Sequence, residues 1–244
     1  MAHYVLILAA GIGSRLNNKT PKQFLELRGV PIVFHSPRKF HEIDSSAKIY
    51  IGLPKVGGAN WTQLCSKYNF TIDHSIYSGG QTRLETVFLG LKKIHQEHRI
   101  AQHDIISIHD AARPFIQTNL IQELTNTAKK TGGAIPVIKL KDSLRIKKRN
   151  CAKDHISKNR DNYIITQTPQ VFHLDKIFKN YTRLFNDNID ASLMGLFDDA
   201  SVYGLFHNYP PLSMIEGEES NIKITTQLDY ILSEKIYQFL KREK

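Results

Sequence analysis

Two cations, Arg15 and Lys22, follow a glycine pair at the end of an apolar run, and that combination suits chemistry on a polyphosphate. Val5-Leu6-Ile7-Leu8-Ala9-Ala10 leads without a break into Gly11-Ile12-Gly13-Ser14-Arg15, and Lys19-Thr20-Pro21-Lys22-Gln23-Phe24 comes soon after. Glycine lets the backbone approach an anion closely and turn its N–H groups toward the oxygens. Guanidinium and ammonium groups then add full positive charge beside the same anion. The spacing excludes two commoner phosphate loops. A Walker loop requires Gly-x-x-x-x-Gly-Lys-Ser/Thr, which is absent, and a dinucleotide fingerprint requires a third glycine where Leu16 stands. By itself, Gly-x-Gly is equally a plain tight turn.

Three more segments carry suitable side chains. Ser78-Gly79-Gly80-Gln81-Thr82-Arg83 opens a helical pattern, and a helix N-terminus with free N–H groups attracts anions or polar base edges. The alternative there is a simple strand-to-helix turn. In His109-Asp110-Ala111-Ala112-Arg113-Pro114, Asp110 is placed to hold Mg²⁺, an ion that takes one or two carboxylates and fills its shell with water and phosphate oxygens. Arg113 offers a fork to a second phosphate, or the two residues simply stiffen the loop as a pair. His109 reads as a packing or hydrogen-bonding residue. Gly217-Glu218-Glu219-Ser220-Asn221-Ile222-Lys223-Ile224-Thr225 supplies Lys223, which alone reads as an exposed lysine, and Asp198-Asp199-Ala200-Ser201 reads as a helix start with an acidic first turn.

The elements that must hold these segments alternate. Strands are expected at His3–Ala9, Ala47–Leu53, Thr71–Ile76, Asp104–Ile108 and Ala134–Ile138, and helices at Ile32–Phe40, Trp61–Tyr68, Thr82–Ile94 and Leu120–Lys129. That rhythm implies a mostly parallel, doubly wound α/β sheet, with ligands at the carboxyl ends of the strands. Between Lys139 and Thr166 the pattern changes. Lys141–Ile146 alternates like an exposed strand, with Tyr163-Ile164-Ile165 as its expected partner, which makes an extended β-arm for packing against another subunit. Helices at Asp175–Leu184 and near Ala200–His207, a strand at Leu212–Ile215 and a helix at Gln227–Leu240 complete one domain, 1–244, with an arm at about 139–166.

The 244 residues are 41% hydrophobic and 23% charged, the balance of an ordinary globular protein able to bury a sizeable core. The longest apolar run is far too short to span a bilayer, and the N-terminus lacks signal-peptide features, so no membrane is expected and the cytoplasm is. Cys65 and Cys151 form neither a disulfide framework nor a metal-ligand pattern. A net charge of +10 raises nucleic acid as a ligand, yet the cations are dispersed apart from Arg145-Ile146-Lys147-Lys148-Arg149, and no recognition motif accompanies them. A small anionic substrate accounts for the cations more economically.

Ala9-Ala10-Gly-x-Gly-x-Arg15, Pro21-Lys22-Gln23, Gly79-Gly80-x-x-Arg83, His109-Asp110-Ala-Ala-Arg113-Pro, Gln167-Thr168-Pro169-Gln170, Asp198-Asp-Ala-Ser201 and Asn221-Ile-Lys223-x-Thr225 stand in an order that resembles the 2-C-methyl-D-erythritol 4-phosphate cytidylyltransferase family. The resemblance spans nearly the whole chain. It implies a Rossmann-like nucleotidyltransferase fold and a homodimer built through the arm. It also implies transfer of CMP from CTP to methylerythritol phosphate with release of pyrophosphate, in the non-mevalonate isoprenoid pathway, with Mg²⁺ as cofactor. By position it implies that Ala9, Ala10, Gly11, Gly13, Gly79, Gly80, Gln81, Arg83, Thr86, Asp110 and Ala111 bind the nucleotide and its metal. Arg15 and Lys22 would stabilise charge at the α-phosphate. Arg113, Ser143, Thr168 and Lys223 would surround the acceptor, with Arg160 supplied from the partner's arm. Two positions depart from the family pattern: Ser220 and Gln81 stand where acidic residues are common. The nearest rival is a ribitol 5-phosphate cytidylyltransferase, which tends to carry Ser-Val where this chain has Ala111-Ala112. A non-catalytic nucleotide-binding module would have no use for Arg15, Lys22, Asp110 and Lys223 together.

Overall fold

The first strand shows how the sheet is built. Along β1 (His3–Leu8) every residue from Tyr4 to Ile7 is buried, so both faces of the sheet must be covered. Period-two alternation sends Val5 and Ile7 into one core, with Phe34, Ile51 and Leu124. Tyr4 and Leu6 enter the other, with Val87, Leu91, Ile106, Phe172 and Tyr181. The computed structural model describes residues 1–11, 21–55, 60–147, 155–206 and 210–242.

The chain continues through a hairpin, β2 (Glu26–Leu27) and β3 (Val30–Pro31), then α1 (Ile32–Ile43), β4 (Lys48–Leu53), α2 (Trp61–Lys67), β5 (His74–Ser78), α3 (Arg83–Glu97), β6 (Ile105–Asp110), α4 (Thr118–Thr131) and β7 (Gly133–Lys139). After β8 (Leu144–Lys147) and β9 (His155–Lys158) come β10 (Ile164–Thr166), β11 (Gln170–His173), α5 (Leu174–Asn186), α6 (Asp199–Gly204), β12 (Ser213–Glu216) and α7 (Gln227–Arg242). The main sheet runs β10-β7-β11-β6-β1-β4-β5, and β12 pairs with β7. β1, β4, β5 and β6 are mutually parallel, while β11 lies antiparallel between β6 and β7. This is a Rossmann-like, doubly wound sheet. From β1 the chain builds outward to β4 and β5, then crosses to β6 on the other side, which makes the β1–β6 gap the topological switch point. Leu8 pairs with Asp110 there, so both strands end together.

Local signals account for several boundaries. The Thr82 hydroxyl accepts from the Glu85 N–H to start α3, and the Glu85 carboxylate reaches back to the Gln81 N–H. Arg28 and Gly29 both adopt positive φ, 55° and 72°, as a two-residue hairpin turn between β2 and β3 requires. Leu27, Ile32, Phe115 and Ile224 form a third small core that receives Tyr230, Ile236, Tyr237 and Leu240 of α7.

The arm differs from expectation. Leu144–Lys147 pairs with His155–Lys158, with Ile146 opposite Ile156, not with Tyr163–Ile165. Ile164–Thr166 instead extends along β7, with Ile164 opposite Lys139 and Thr166 opposite Val137. The reason is that β11 occupies only the first part of that β7 edge, at Gly133 and Ala134, leaving the backbone groups beyond it for β10. The third strand also starts later than expected, at His74, after Asn69 turns the chain at φ 52°. Strand β11 was not expected at all. Among the described residues no helix is long and apolar enough to cross a membrane.

Candidate active site

A crevice of about 280 Å³ opens at the carboxyl ends of β1, β5 and β6. Its walls are Leu8–Gly11, Lys22, Gln23, Gly80–Arg83, Thr86, Asp110–Ala112 and Lys223. The strand ends are tied together by backbone bonds, with Ala9 N–H on the Gly52 carbonyl at 2.9 Å and Gly79 N–H on the Leu53 carbonyl at 2.8 Å. A Cβ on Gly79 would stand 2.2 Å from the Ala10 Cβ, so glycine is what lets these two loops meet. Gly80 N–H donates to the Thr86 hydroxyl at 3.1 Å, and that hydroxyl donates to the Thr82 carbonyl at 2.9 Å. Thr86 therefore shapes the loop from below.

Lys22 starts a single helical turn, Lys22–Phe24, and the buried Gln23 pins that turn by donating to the Ala9 carbonyl at 2.7 Å. The Lys22 ammonium donates to the Ile224 carbonyl at 3.1 Å. Gln23 thus carries Lys22 to the crevice wall. Gly13 and Arg15 lie outside the described residues.

The crevice wall also carries a row of charges. Asp110 accepts from Arg83 Nε at 3.1 Å on one oxygen and from Lys223 Nζ at 2.7 Å on the other. Arg83 turns its terminal nitrogens onto Asp199, at 3.1 and 2.7 Å, and the Tyr181 hydroxyl donates to Asp199 at 2.6 Å. Burial alone would raise the Asp110 pKa, but Arg83 and Lys223 overcome it and hold the carboxyl well below the usual range. Asp110 is an anion at any working pH, and Lys223, 39% exposed at its side chain, faces the solvent end of the pair.

His109 fixes this carboxylate from behind. Its Nε2 lies 3.0 Å from the Arg113 carbonyl and so carries the proton, leaving Nδ1 to accept from the Thr168 hydroxyl at 3.2 Å. Thr168 in turn accepts the Asp110 N–H at 3.1 Å. Burial pushes the His109 pKa down to about 4 from an ordinary 6.5. The unfolded chain therefore binds the proton more readily across that window, and stability contributed by neutral His109 is complete above pH 6.5 and lost as pH falls toward 4. The loss is about 3 kcal/mol from this residue. His35 and His95, lowered by burial, act in the same sense, and Glu218, raised by burial, opposes them. Urea unfolding at pH 7 and pH 4.5 checks the sum; equal midpoints would contradict a neutral, buried His109.

Other residues named from the sequence stand elsewhere. Arg113 donates to the Asn221 carbonyl at 2.7 Å, and its buried Nε lacks a partner among the described residues. Thr168 is buried behind Asp110. Ser143 and Arg160 are exposed on the arm side, with the Arg160 guanidinium donating to the Lys141 carbonyl, and neither lines this chain's own crevice. Gln23 and Asp199 stood in quoted motifs without a site role of their own, and Tyr181 escaped the sequence reading. Gln167 and Gln170 are clamps: Gln167 exchanges hydrogen bonds with the backbone of Glu218, and Gln170 bonds Asp198 and the Ala200 N–H, fixing the start of α6.

No cluster of three or more His, Cys, Asp or Glu suited to a metal occurs among the described residues. Among the described residues Asp110 is the one carboxylate on the crevice wall. Each of its oxygens has a second lone pair, and a lone carboxylate suits magnesium whose shell is otherwise phosphate oxygen and water, not zinc.

A sequence model of the 2-C-methyl-D-erythritol 4-phosphate cytidylyltransferase family matches residues 3–238. A 2-C-methyl-D-erythritol 4-phosphate cytidylyltransferase of Azobacteroides pseudotrichonymphae genomovar. CFP2 is 36% identical over 234 residues, which is 96% of this chain and 97% of that one. One of Phocaeicola vulgatus is 31% identical over 96% and 99% of the two chains. Among solved structures, the 4-diphosphocytidyl-2C-methyl-D-erythritol synthase of Anaerococcus prevotii superposes with a TM-score of 0.78 at 25% identity, covering 97% of this chain and 96% of its own. The Francisella tularensis 2-C-methyl-D-erythritol 4-phosphate cytidylyltransferase gives 0.77 at 26%, covering 97% and 100%.

Proposed function

Because this chain belongs to the 2-C-methyl-D-erythritol 4-phosphate cytidylyltransferase family, and so is a nucleotidyltransferase moving CMP from CTP to methylerythritol phosphate, we propose that the β1–β6 crevice is where the transfer takes place. The observation that carries this is the convergence of Lys22 and the Asp110–Lys223 pair on one crevice that Ala9–Gly11 and Gly80–Arg83 also line. The acceptor's phosphate monoester is already an anion, so no general base is needed. Its oxygen forms a bond to the α-phosphorus of CTP while the bond from that phosphorus to the bridging oxygen breaks, releasing pyrophosphate. The barrier is the approach of two anions and the growth of charge on the α-phosphoryl oxygens. Positioned cations lower it.

On this reading, Ala9, Ala10, Gly11, Gly80 and Gln81 receive the nucleotide, with Gly79 and Thr86 shaping their loop. Arg15 and Lys22 neutralise the α-phosphoryl charge. Lys223, Arg113 and Thr168 take the acceptor's side. Asp110 would hold Mg²⁺, which when bound supplies neutralisation of the triphosphate. Arg160 and Ser143, exposed and off the crevice of their own chain, are assigned to a neighbouring subunit's acceptor site in a homodimer; Ile146, Ile156, Ile164 and Ile165, all 44–46% exposed, supply apolar surface for such a contact. A monomer by sedimentation at assay concentration would contradict that assignment.

Pyrophosphate release from CTP and Mg²⁺ tests the reading, run with methylerythritol phosphate, with ribitol 5-phosphate and without acceptor. Release is expected with the first alone. Rapid release with ribitol 5-phosphate and none with methylerythritol phosphate would overturn it.

A further inference from the structure

Asp199 does not itself line the crevice; it reaches the crevice wall through Arg83. It is fully buried, and its partners are the Tyr181 hydroxyl and the two terminal nitrogens of Arg83. We infer that Asp199 is a positioning residue for the transfer, acting through Arg83 to keep Asp110 in place for Lys223. The inference rests on the activity proposed above.

The argument is one of valence and charge. A guanidinium can grip a carboxylate with two parallel N–H bonds, and that arrangement is favoured wherever it is available. Asp199 takes the two-nitrogen grip, at 3.1 and 2.7 Å. Arg83 is left with Nε alone for Asp110, at 3.1 Å on one oxygen. The other Asp110 oxygen stays with Lys223 at 2.7 Å. Two carboxylates and two cations therefore alternate in one row, Asp199, Arg83, Asp110, Lys223, with the fully buried Asp199 at its inner end. Burial would lower the Arg83 pKa, but Asp199 and Asp110 together hold it well above its ordinary value, so its charge is permanent. Remove the Asp199 charge, and the carboxylate still paired with Arg83 among the described residues is Asp110. Arg83 then turns its fork onto Asp110 and competes with Lys223 for it. The crevice loses the geometry of both groups without losing either one.

The placement of Asp199 is itself built. Asp198 caps α6 by accepting from the Ser201 N–H at 2.9 Å, and Gln170 holds Asp198 and the Ala200 N–H at 2.8 Å each. Asp199 is thereby pointed inward, away from the capping role its neighbour fills.

The test is Asp199→Asn, which keeps shape and removes charge, after wild-type turnover with CTP and methylerythritol phosphate has been established. With unchanged circular dichroism, kcat is expected to fall about 10- to 100-fold, the usual cost of losing a partner behind a site, while KM for CTP stays within about threefold. Because the action runs through Arg83, adding Asp199→Asn to Arg83→Gln should change kcat by less than about twofold. Wild-type kcat in a folded Asp199→Asn, or effects that multiply in the double variant, would overturn the inference. Should Asp199→Asn melt below assay temperature, Tyr181→Phe removes only the hydroxyl that orients Asp199; a fall in kcat of about 2- to 5-fold at constant KM for CTP supports the inference, and no change overturns it. A wild type silent with both substrates removes the activity reading and this inference with it. An active wild type with an unaffected Asp199→Asn removes this inference alone.

Discussion

Replacing Lys22 by alanine is expected to lower kcat about 10²- to 10³-fold while changing CTP affinity only a few-fold, the signature of a cation whose contact strengthens as charge grows in the transition state. The structure supplies the geometry for this. Gln23 locks the turn that carries Lys22 to the Ala9 carbonyl, and the ammonium donates to the Ile224 carbonyl from the crevice wall. A lysine used only for binding would be matched by a comparable loss of affinity. Steady-state turnover together with equilibrium CTP binding separates the two cases. Turnover within about threefold of wild type would remove Lys22 from the chemistry.

Gly79→Ala is expected to be the second most damaging change, although it adds a single carbon. The new Cβ would meet the Ala10 Cβ at 2.2 Å and the Thr86 Oγ1 and Cγ2 at 3.2 and 3.3 Å. Ala10 closes β1 and Gly79 closes β5, and both loops are tied by backbone bonds to β4, so neither retreats without opening the crevice. Overpacking of this kind costs about 1–3 kcal/mol of stability. The larger effect is on rate, since a displacement of about 1 Å at a site of phosphoryl transfer costs about 10²-fold. kcat/KM for CTP should fall by that factor. Gly11 is the contrast: among the described residues a Cβ there meets nothing within 4 Å, so Gly11→Ala should keep wild-type stability. Equal melting temperatures for the two variants would show that the Gly79 contact is not tight.

What could be read from the chain was local. β1 and the body of β4 are apolar runs, and β6 opens on Ile105-Ile106-Ser107-Ile108, segments whose buried character needs no partner to be recognised. α3 announces itself by Thr82 and its apolar stripe, and α6 by Asp198. What failed was pairing. Ile164-Ile165 is an apolar doublet without alternation, and its partner was decided by a vacant stretch of β7 edge that no local pattern displays. β11 is four buried residues directly after Pro169, too short for periodicity to register. The same division holds at the site. Asp110 and Lys223 each stood in a recognisable motif, but their bond spans 113 residues and comes from the fold. Asp199 was masked by its neighbour: two adjacent aspartates before a helix both read as first-turn acids, and only the packing shows that one caps and the other faces Arg83. Gln23 looked like part of a lysine motif and is the bond that places the lysine. Thr168, assigned to the acceptor by resemblance, is also the hydroxyl that holds the Asp110 backbone.

The central claim is that the crevice at the ends of β1 and β6 is the site of transfer, and a crystal structure with Mg²⁺ and a non-hydrolysable CTP analogue tests it most directly. The account places the triphosphate between the Ala9–Gly11 loop and Gly80, with Lys22 against the α-phosphate and Asp110 on the metal side. Nucleotide seated anywhere else on the chain, with Lys22 and Asp110 untouched, would contradict it.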